Sequence, residues 1–188
     1  MERFTDHAQV LQAVLDDVAM KIWFFRVFGY RGDLQFRIMP AVWIRELTLL
    51  DIGRDAHIGY GVMLGTSRIL NDGDSVLLRR IAIGERCFFN QHGVVEGGAS
   101  IGSDCSIGIR STIGADSKIG DGVEIGDVVR IGEEASIGDG CRIGCGASVG
   151  AGSIVDPGVV LEDGRAVPAH HRLTFGGLFP MPHRRIAA

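Results

Sequence analysis

Apolar residues recur at every sixth place through most of the chain. Ile83, Phe89, Val95, Ile101, Ile107, Ile113, Ile119, Ile125, Ile131, Ile137, Ile143, Val149, Val155, Leu161 and Val167 form an unbroken series. A second, smaller set sits four places further on, at Cys87, Ala99, Cys105, Ser111, Ser117, Val123, Ala135, Cys141, Ala147 and Ser153. An α-helix turns every 3.6 residues and cannot hold a six-residue stripe on one face. A flat strand would alternate every second residue along its whole length. One large and one small inward residue in every six fits a coil of very short strands joined by corners. The large side chain fills the core from a strand and the small one fits the crowded corner. Successive coils then stack about 4.8 Å apart around one aliphatic column.

The residue that follows the large position supports this reading. From Ile101 to Val149 each large residue is followed directly by Gly, and the chain carries 28 Gly in 188 residues. Glycine supplies the close backbone approach that tight corners demand. Ile52-Gly53, Ile58-Gly59 and Leu64-Gly65 add three hexads upstream, which predicts about six triangular coils. Two stretches break the rhythm. Residues 70–82, with Asn71-Asp72-Gly73-Asp74, read as a loop leaving the prism. Residues 5–28 read as a helix, with Val10, Leu11, Val14, Leu15 and Val18 at helical spacing and Trp23, Phe24, Phe25 and Phe28 beyond them. The predicted organisation is an N-terminal helical cap over 1–45, the repeat over 46–170 and a short irregular tail over 171–188. The helix is expected to cover the open end of the prism or to meet a partner; a membrane-surface role would place Lys21 and Arg26 at the headgroups.

Composition narrows the function classes. The net charge is −4 and the isoelectric point about 5.8, without the basic stripe of a nucleic-acid binder. No apolar run approaches the ~18 residues of a spanning helix, and Met1-Glu2-Arg3-Phe4-Thr5-Asp6 lacks the apolar core of a secretory signal. The four cysteines form no CxxC pair, and Cys87, Cys105 and Cys141 share the small inward position. They read as reduced core residues of a cytoplasmic protein, with no metal expected.

Units such as Ile101-Gly102-Ser103-Asp104-Cys105-Ser106 resemble the hexapeptide-repeat acyltransferases. The resemblance implies an all-β, left-handed parallel β-helix of triangular section. It also implies a homotrimer with sites between adjacent prisms, and transfer of an acyl group, most often acetyl, from coenzyme A to a hydroxyl or amine of a small, sugar-like acceptor. The left hand comes from the family, and departs from the usual right-handed crossover. That chemistry asks for a neutral imidazole to take the acceptor's proton, a backbone N–H to steady the oxyanion, and positioning.

The repeat lapses at Phe89-Asn90-Gln91-His92-Gly93, which resembles the Asn/Asp-His-Gly segments of sugar and serine acetyltransferases. His92 is the expected general base. Asn90 would orient the acceptor or the ring, and Glu96 or Asp74 would hold the second imidazole nitrogen. Arg110, eighteen residues on, should occupy the same corner one coil later, where a guanidinium favours the neutral imidazole and offers a cation to coenzyme A. Gly146 and Gly152 mark corners along which the pantetheine arm could hydrogen-bond to backbone. A zinc-dependent prism of the γ-carbonic anhydrase type is disfavoured, because Ile107-Gly108-Ile109-Arg110 stands where its later histidines would fall. The rival of a different class is a noncatalytic trimeric scaffold or assembly subunit.

Overall fold

The computed structural model describes residues 17–39, 41–44, 46–69 and 76–181. Three parallel sheets form the faces of a prism. The first contains Arg37–Ile38, His57–Ile58, Phe88–Phe89, Ser106–Ile107, Glu124–Ile125, Arg142–Ile143 and Val160–Leu161. The second contains Trp43–Ile44, Met63–Gly65, Val94–Glu96, Thr112–Ile113, Arg130–Ile131, Ser148–Val149 and Ala166–Val167. The third runs from Leu50–Ile52 through Ile81–Ile83, Ser100–Ile101, Lys118–Ile119, Ser136–Ile137 and Ile154–Val155 to His171–Thr174. Each of these strands pairs in parallel with the next on its face. From Phe88 onward the step is eighteen residues, as in Phe88 with Ser106 and Ser106 with Glu124.

The large and small positions fill the interior as the spacing requires. Ile107, Ile113, Ile131, Ile137 and Ile143 are all at most 2% exposed, and the corner residues Cys105, Ala135 and Cys141 are as deeply buried. Outward neighbours on the same strands, such as Lys118, Glu124 and Arg130, face solvent. Burying an Ile side chain contributes about 2–3 kcal/mol, so the column is the main source of stability.

The corners obey a second rule. The fourth residue of each hexad adopts positive φ, whether it is Asp104 (59°), Arg110 (56°), Val128 (58°) or Gly122 (64°). For a non-glycine residue this conformation costs about 1–2 kcal/mol. A ladder of corner hydrogen bonds offsets it, with the amides of Asp104, Gly122, Gly140 and Gly158 each donating to a carbonyl one coil earlier at 2.8 Å. Third-position aspartates add a further tie. Asp121, Asp139 and Asp163 accept from the amides of Ser103, Asp121 and Cys145 at 2.7–2.9 Å. The second-position Gly is steric in origin, since a Cβ on Gly114 would come 2.7 Å from Glu133 N in the next coil.

The prism has about seven turns rather than six. The extra turn is Arg37–Ile38, Trp43–Ile44 and Leu50–Ile52, whose inward residues Ile38, Ile44 and Leu50 are also six apart. Without the following glycines, and out of phase with Ile52, they do not extend the visible series. The insertion forms an antiparallel hairpin, Ser67–Ile69 with Val76–Leu78, and Ile81–Ile83 has already rejoined the third face. His57 pairs with Phe88, a step of thirty-one residues rather than eighteen, so the chain leaves and returns without losing register. The tail is more regular than expected, because His171–Thr174 extends the third face and turns back onto Gly177–Pro180. Arg172 anchors the turn through Asp156 at 2.8 Å.

At the other end stands α1, Val18–Val27, N-capped by Asp17, whose side chain accepts from Met20 N at 2.8 Å. Residues 5–16 of the expected helix lie outside the described residues. Phe25, Tyr30 and Phe36 pack edge to face at 5.5–5.8 Å and belong to the same buried core as Ile52. Tyr30 Oη accepts from Ile52 N at 3.1 Å and donates to Ile52 O at 3.2 Å, tying the cap to the first coil. Lys21 is buried, donates to Phe36 O at 2.7 Å and lies over the Phe36 ring. Arg26 donates to Tyr30 O at 3.0 Å. Lys21, one of the two cations expected at lipid headgroups, is therefore turned into the cap, while Arg26 stays exposed. The apolar side chains left outward are Val18, Met20, Ile22, Trp23, Val27 and Phe28. Among the described residues no helix is long and apolar enough to cross a membrane.

Candidate functional site

His92 occupies the fourth position of its hexad, on the edge between the first and second faces, with φ of 57°. Its imidazole is exposed. The backbone is fixed on both sides, because His92 N donates to Tyr60 O at 2.8 Å and Gln91 O accepts from Arg110 N at 3.0 Å. Tyr60 from the preceding coil meets the imidazole edge to face, with ring centroids 5.5 Å apart. The ring lies across Gly61, where a Cβ would stand 2.6 Å from His92 Nδ1. Glycine at 61 is thus what lets the imidazole lie against the coil below it.

The same edge carries Arg110, Val128, Gly146 and Gly164 in successive coils, all but Arg110 and Val128 being glycine and all with positive φ. His92, Arg110 and Gly146 are therefore brought onto one line, with Gly146 about 14 Å from His92 at three strand spacings. Nothing fills the space that a Cβ on Gly146 would take, so the backbone there is open to approach. Asn90 lies at the second position of the His92 hexad, its backbone N–H donating to Ile107 O at 2.9 Å.

Two of the sequence-selected residues lie elsewhere. Glu96 sits at the end of a second-face strand, and its carboxylate accepts from Ala115 N at 3.1 Å. That bond turns it toward the edge between the second and third faces, away from the His92 line. Gly152 belongs to this other edge, beneath the ring of His170. Asp74, the alternative partner for the imidazole, falls outside the described residues.

The edge that holds Glu96 borders a groove of about 490 Å³ beneath the hairpin. Trp43, Met63 and Val94 form one wall, and Arg68 and Arg79 overhang from the hairpin. Arg68 pairs with Glu133 at 2.9 Å, and Arg79 pairs with Asp116. Thr66 donates to Glu46 at the rim. Sequence reasoning missed both Tyr60 and this groove. The available signal for Tyr60 was Gly61 at the corner position one coil before His92. For the groove no local signal existed, because its residues come from five separate coils and the hairpin.

The three buried thiols point inward, Cys87 and Cys105 donating to the carbonyls of Gly102 and Gly120 at 2.9 and 3.1 Å, while Cys145 is exposed. Burial pushes the Cys141 thiol above its ordinary range.

Residues 98–133 match the family model for the bacterial transferase hexapeptide, six repeats. That repeat is the one seen in the corner and core pattern above, and it indicates a left-handed β-helix. The protein is a hexapeptide-repeat β-helix over this segment. Comparison with curated proteins returns no match. Among solved structures, a hexapeptide transferase family protein from Anaplasma phagocytophilum is similar, with 20% identity over 81% of this chain and 79% of that one and a TM-score of 0.38. AntD, an N-acyltransferase from Bacillus cereus solved in complex with dTDP and coenzyme A, shares 17% identity over 88% of each chain, with a TM-score of 0.38. LpxA, a UDP-N-acetylglucosamine acyltransferase from Bacteroides fragilis, shares 14% identity over 80% of this chain and 64% of that one, with a TM-score of 0.43.

Proposed function

We propose that the protein is an acyltransferase that carries an acyl group, acetyl in the first instance, from coenzyme A to a hydroxyl or amine of a small, sugar-like acceptor. The observation that carries this reading is the exposed imidazole of His92, on an edge shared with Arg110 and the open backbone at Gly146, in a chain matching a transferase repeat. His92 takes the proton of the acceptor hydroxyl or amine as that atom attacks the thioester carbonyl carbon. The new C–O or C–N bond forms, the C–S bond breaks, and the imidazolium returns its proton to the departing thiolate. Asn90 orients the acceptor, and the pantetheine arm lies along the corners near Gly146. In a homotrimer the His92 edge of one prism faces the next copy, which closes the site. Four unpaired thiols favour the reducing cytoplasm.

The test is thiol release from acetyl-CoA with a panel of sugars, amino-sugars and amines, alongside thermal shift with coenzyme A. Turnover with one acceptor class, and a loss of about 10²–10⁴-fold in His92→Ala, is the expected result. Absence of both turnover and stabilisation by coenzyme A would leave the noncatalytic scaffold as the better reading. Full activity in His92→Ala would remove the imidazole from the mechanism.

A further inference from the structure

The groove beneath the hairpin is separate from the His92 edge, and its chemistry is specific. Its volume of about 490 Å³ lies in the range that holds a small organic molecule. One wall is apolar. Trp43, Met63 and Val94 stand directly above one another in successive coils of the second face, and Trp43 and Met63 remain 45% and 43% exposed.

The other wall is acidic. Glu96, Asp116, Glu133 and Glu134 line it, against only Arg68 and Arg79. Both arginines are already matched, Arg68 with Glu133 and Arg79 with Asp116. Glu134 makes no ion pair among the described residues, and Glu96 has only the amide of Ala115. An entering anion would have to break an existing pair. An entering cation would meet unpaired carboxylates and the face of an indole, which attracts positive charge. The stem of the hairpin adds a polar group, Ser67 Oγ, that is buried without a hydrogen-bond partner among the described residues.

We propose that this groove binds a small organic ammonium ion, its amine directed to Glu134 and Glu96 and its apolar body laid on Trp43 and Met63. The inference rests on the groove alone and stands whether or not the protein transfers acyl groups.

Isothermal titration of the full chain, with no acyl donor present, tests it. Phenethylamine and tryptamine are the probes, with phenylacetate and 2-phenylethanol as the anionic and neutral matches. Both amines should bind saturably, and phenylacetate should bind at least about tenfold more weakly. Glu134→Gln, at an exposed corner, keeps the fold and should weaken the amines by about fivefold. Trp43→Ala should weaken them further. Met63→Lys, which sets a rival cation in the groove, should abolish binding; circular dichroism verifies the fold of each variant. Equal affinity for phenethylamine and phenylacetate overturns the proposal, as does no saturable binding of the amines at roughly 10 mM. Amine affinities unchanged in the folded variants overturn it equally.

Discussion

Removing the hydroxyl of Tyr30 cuts two hydrogen bonds that tie the cap to the first coil while leaving the aromatic rings in place. Tyr30 is 1% exposed, and its Oη is the partner of both Ile52 N–H and Ile52 C=O. Tyr30→Phe strands a buried donor and a buried acceptor at the end of the prism. At about 1–3 kcal/mol for the donor and less for the two-lone-pair acceptor, the cost is about 3 kcal/mol. For a chain of this size that lowers Tm by roughly 6–12 °C. Alkaline pH probes the same group independently. Burial pushes the Tyr30 hydroxyl up to about 12, from an ordinary 10. Below pH 10 the phenol is neutral in both folded and unfolded chains, and its contribution is fully present. Between pH 10 and 12 the unfolded chain loses the proton first, so stability falls as pH rises, by about 3 kcal/mol over the two-unit interval. Urea denaturation of wild type and Tyr30→Phe at pH 8 and across pH 10–12 reads both effects. The gap between them should be wide at pH 8 and should close toward pH 12. A variant within about 0.5 kcal/mol of wild type at pH 8, or a gap that does not change with pH, refutes the argument.

The core column predicts that Ile113→Ala, at a fully buried position, costs about 2–5 kcal/mol in urea denaturation. Asp139→Ala removes the acceptor for Asp121 N and should cost about 1 kcal/mol by the same measurement. The Asp104 carboxylate is held below its ordinary 3.8 by the bonded Arg86 guanidinium. Its contribution is present above the ordinary carboxylate value and is lost as pH falls through the depressed one. Arg86→Ala should therefore move the Asp104 titration upward in an NMR pH series. With an aqueous disulfide reagent, Cys145 should react at once, while Cys87, Cys105 and Cys141 should react only on unfolding.

The repeat was legible because each hexad meets the same local demands: Ile137 inward, Gly138 under the next coil, Ala135 at a corner. The first turn was not, since Ile38 and Ile44 pack without the glycines that signal the rest. The tail hairpin escaped notice because His171–Thr174 holds its place by pairing with Ile154–Val155, a long-range contact that no local pattern records. At the site, the stacking of His92, Arg110 and Gly146 follows directly from the eighteen-residue step. The separation of Glu96 and Gly152 from that line follows from the same arithmetic, because neither lies at a multiple of eighteen from His92. The partner of Glu96, an amide, depended on side-chain direction, which spacing alone does not fix.

Because one circuit is eighteen residues from Phe88 onward, the molecule works as a ruler there. A segment of that length added or deleted would move everything beyond it by one notch along the axis and rotate nothing. A six-residue insertion would instead swing all later side chains by a third of a revolution, dividing Arg110 from His92 if it fell between them. The hairpin shows the permitted exception: length can change freely where the chain steps off the scale and steps back on at the same mark.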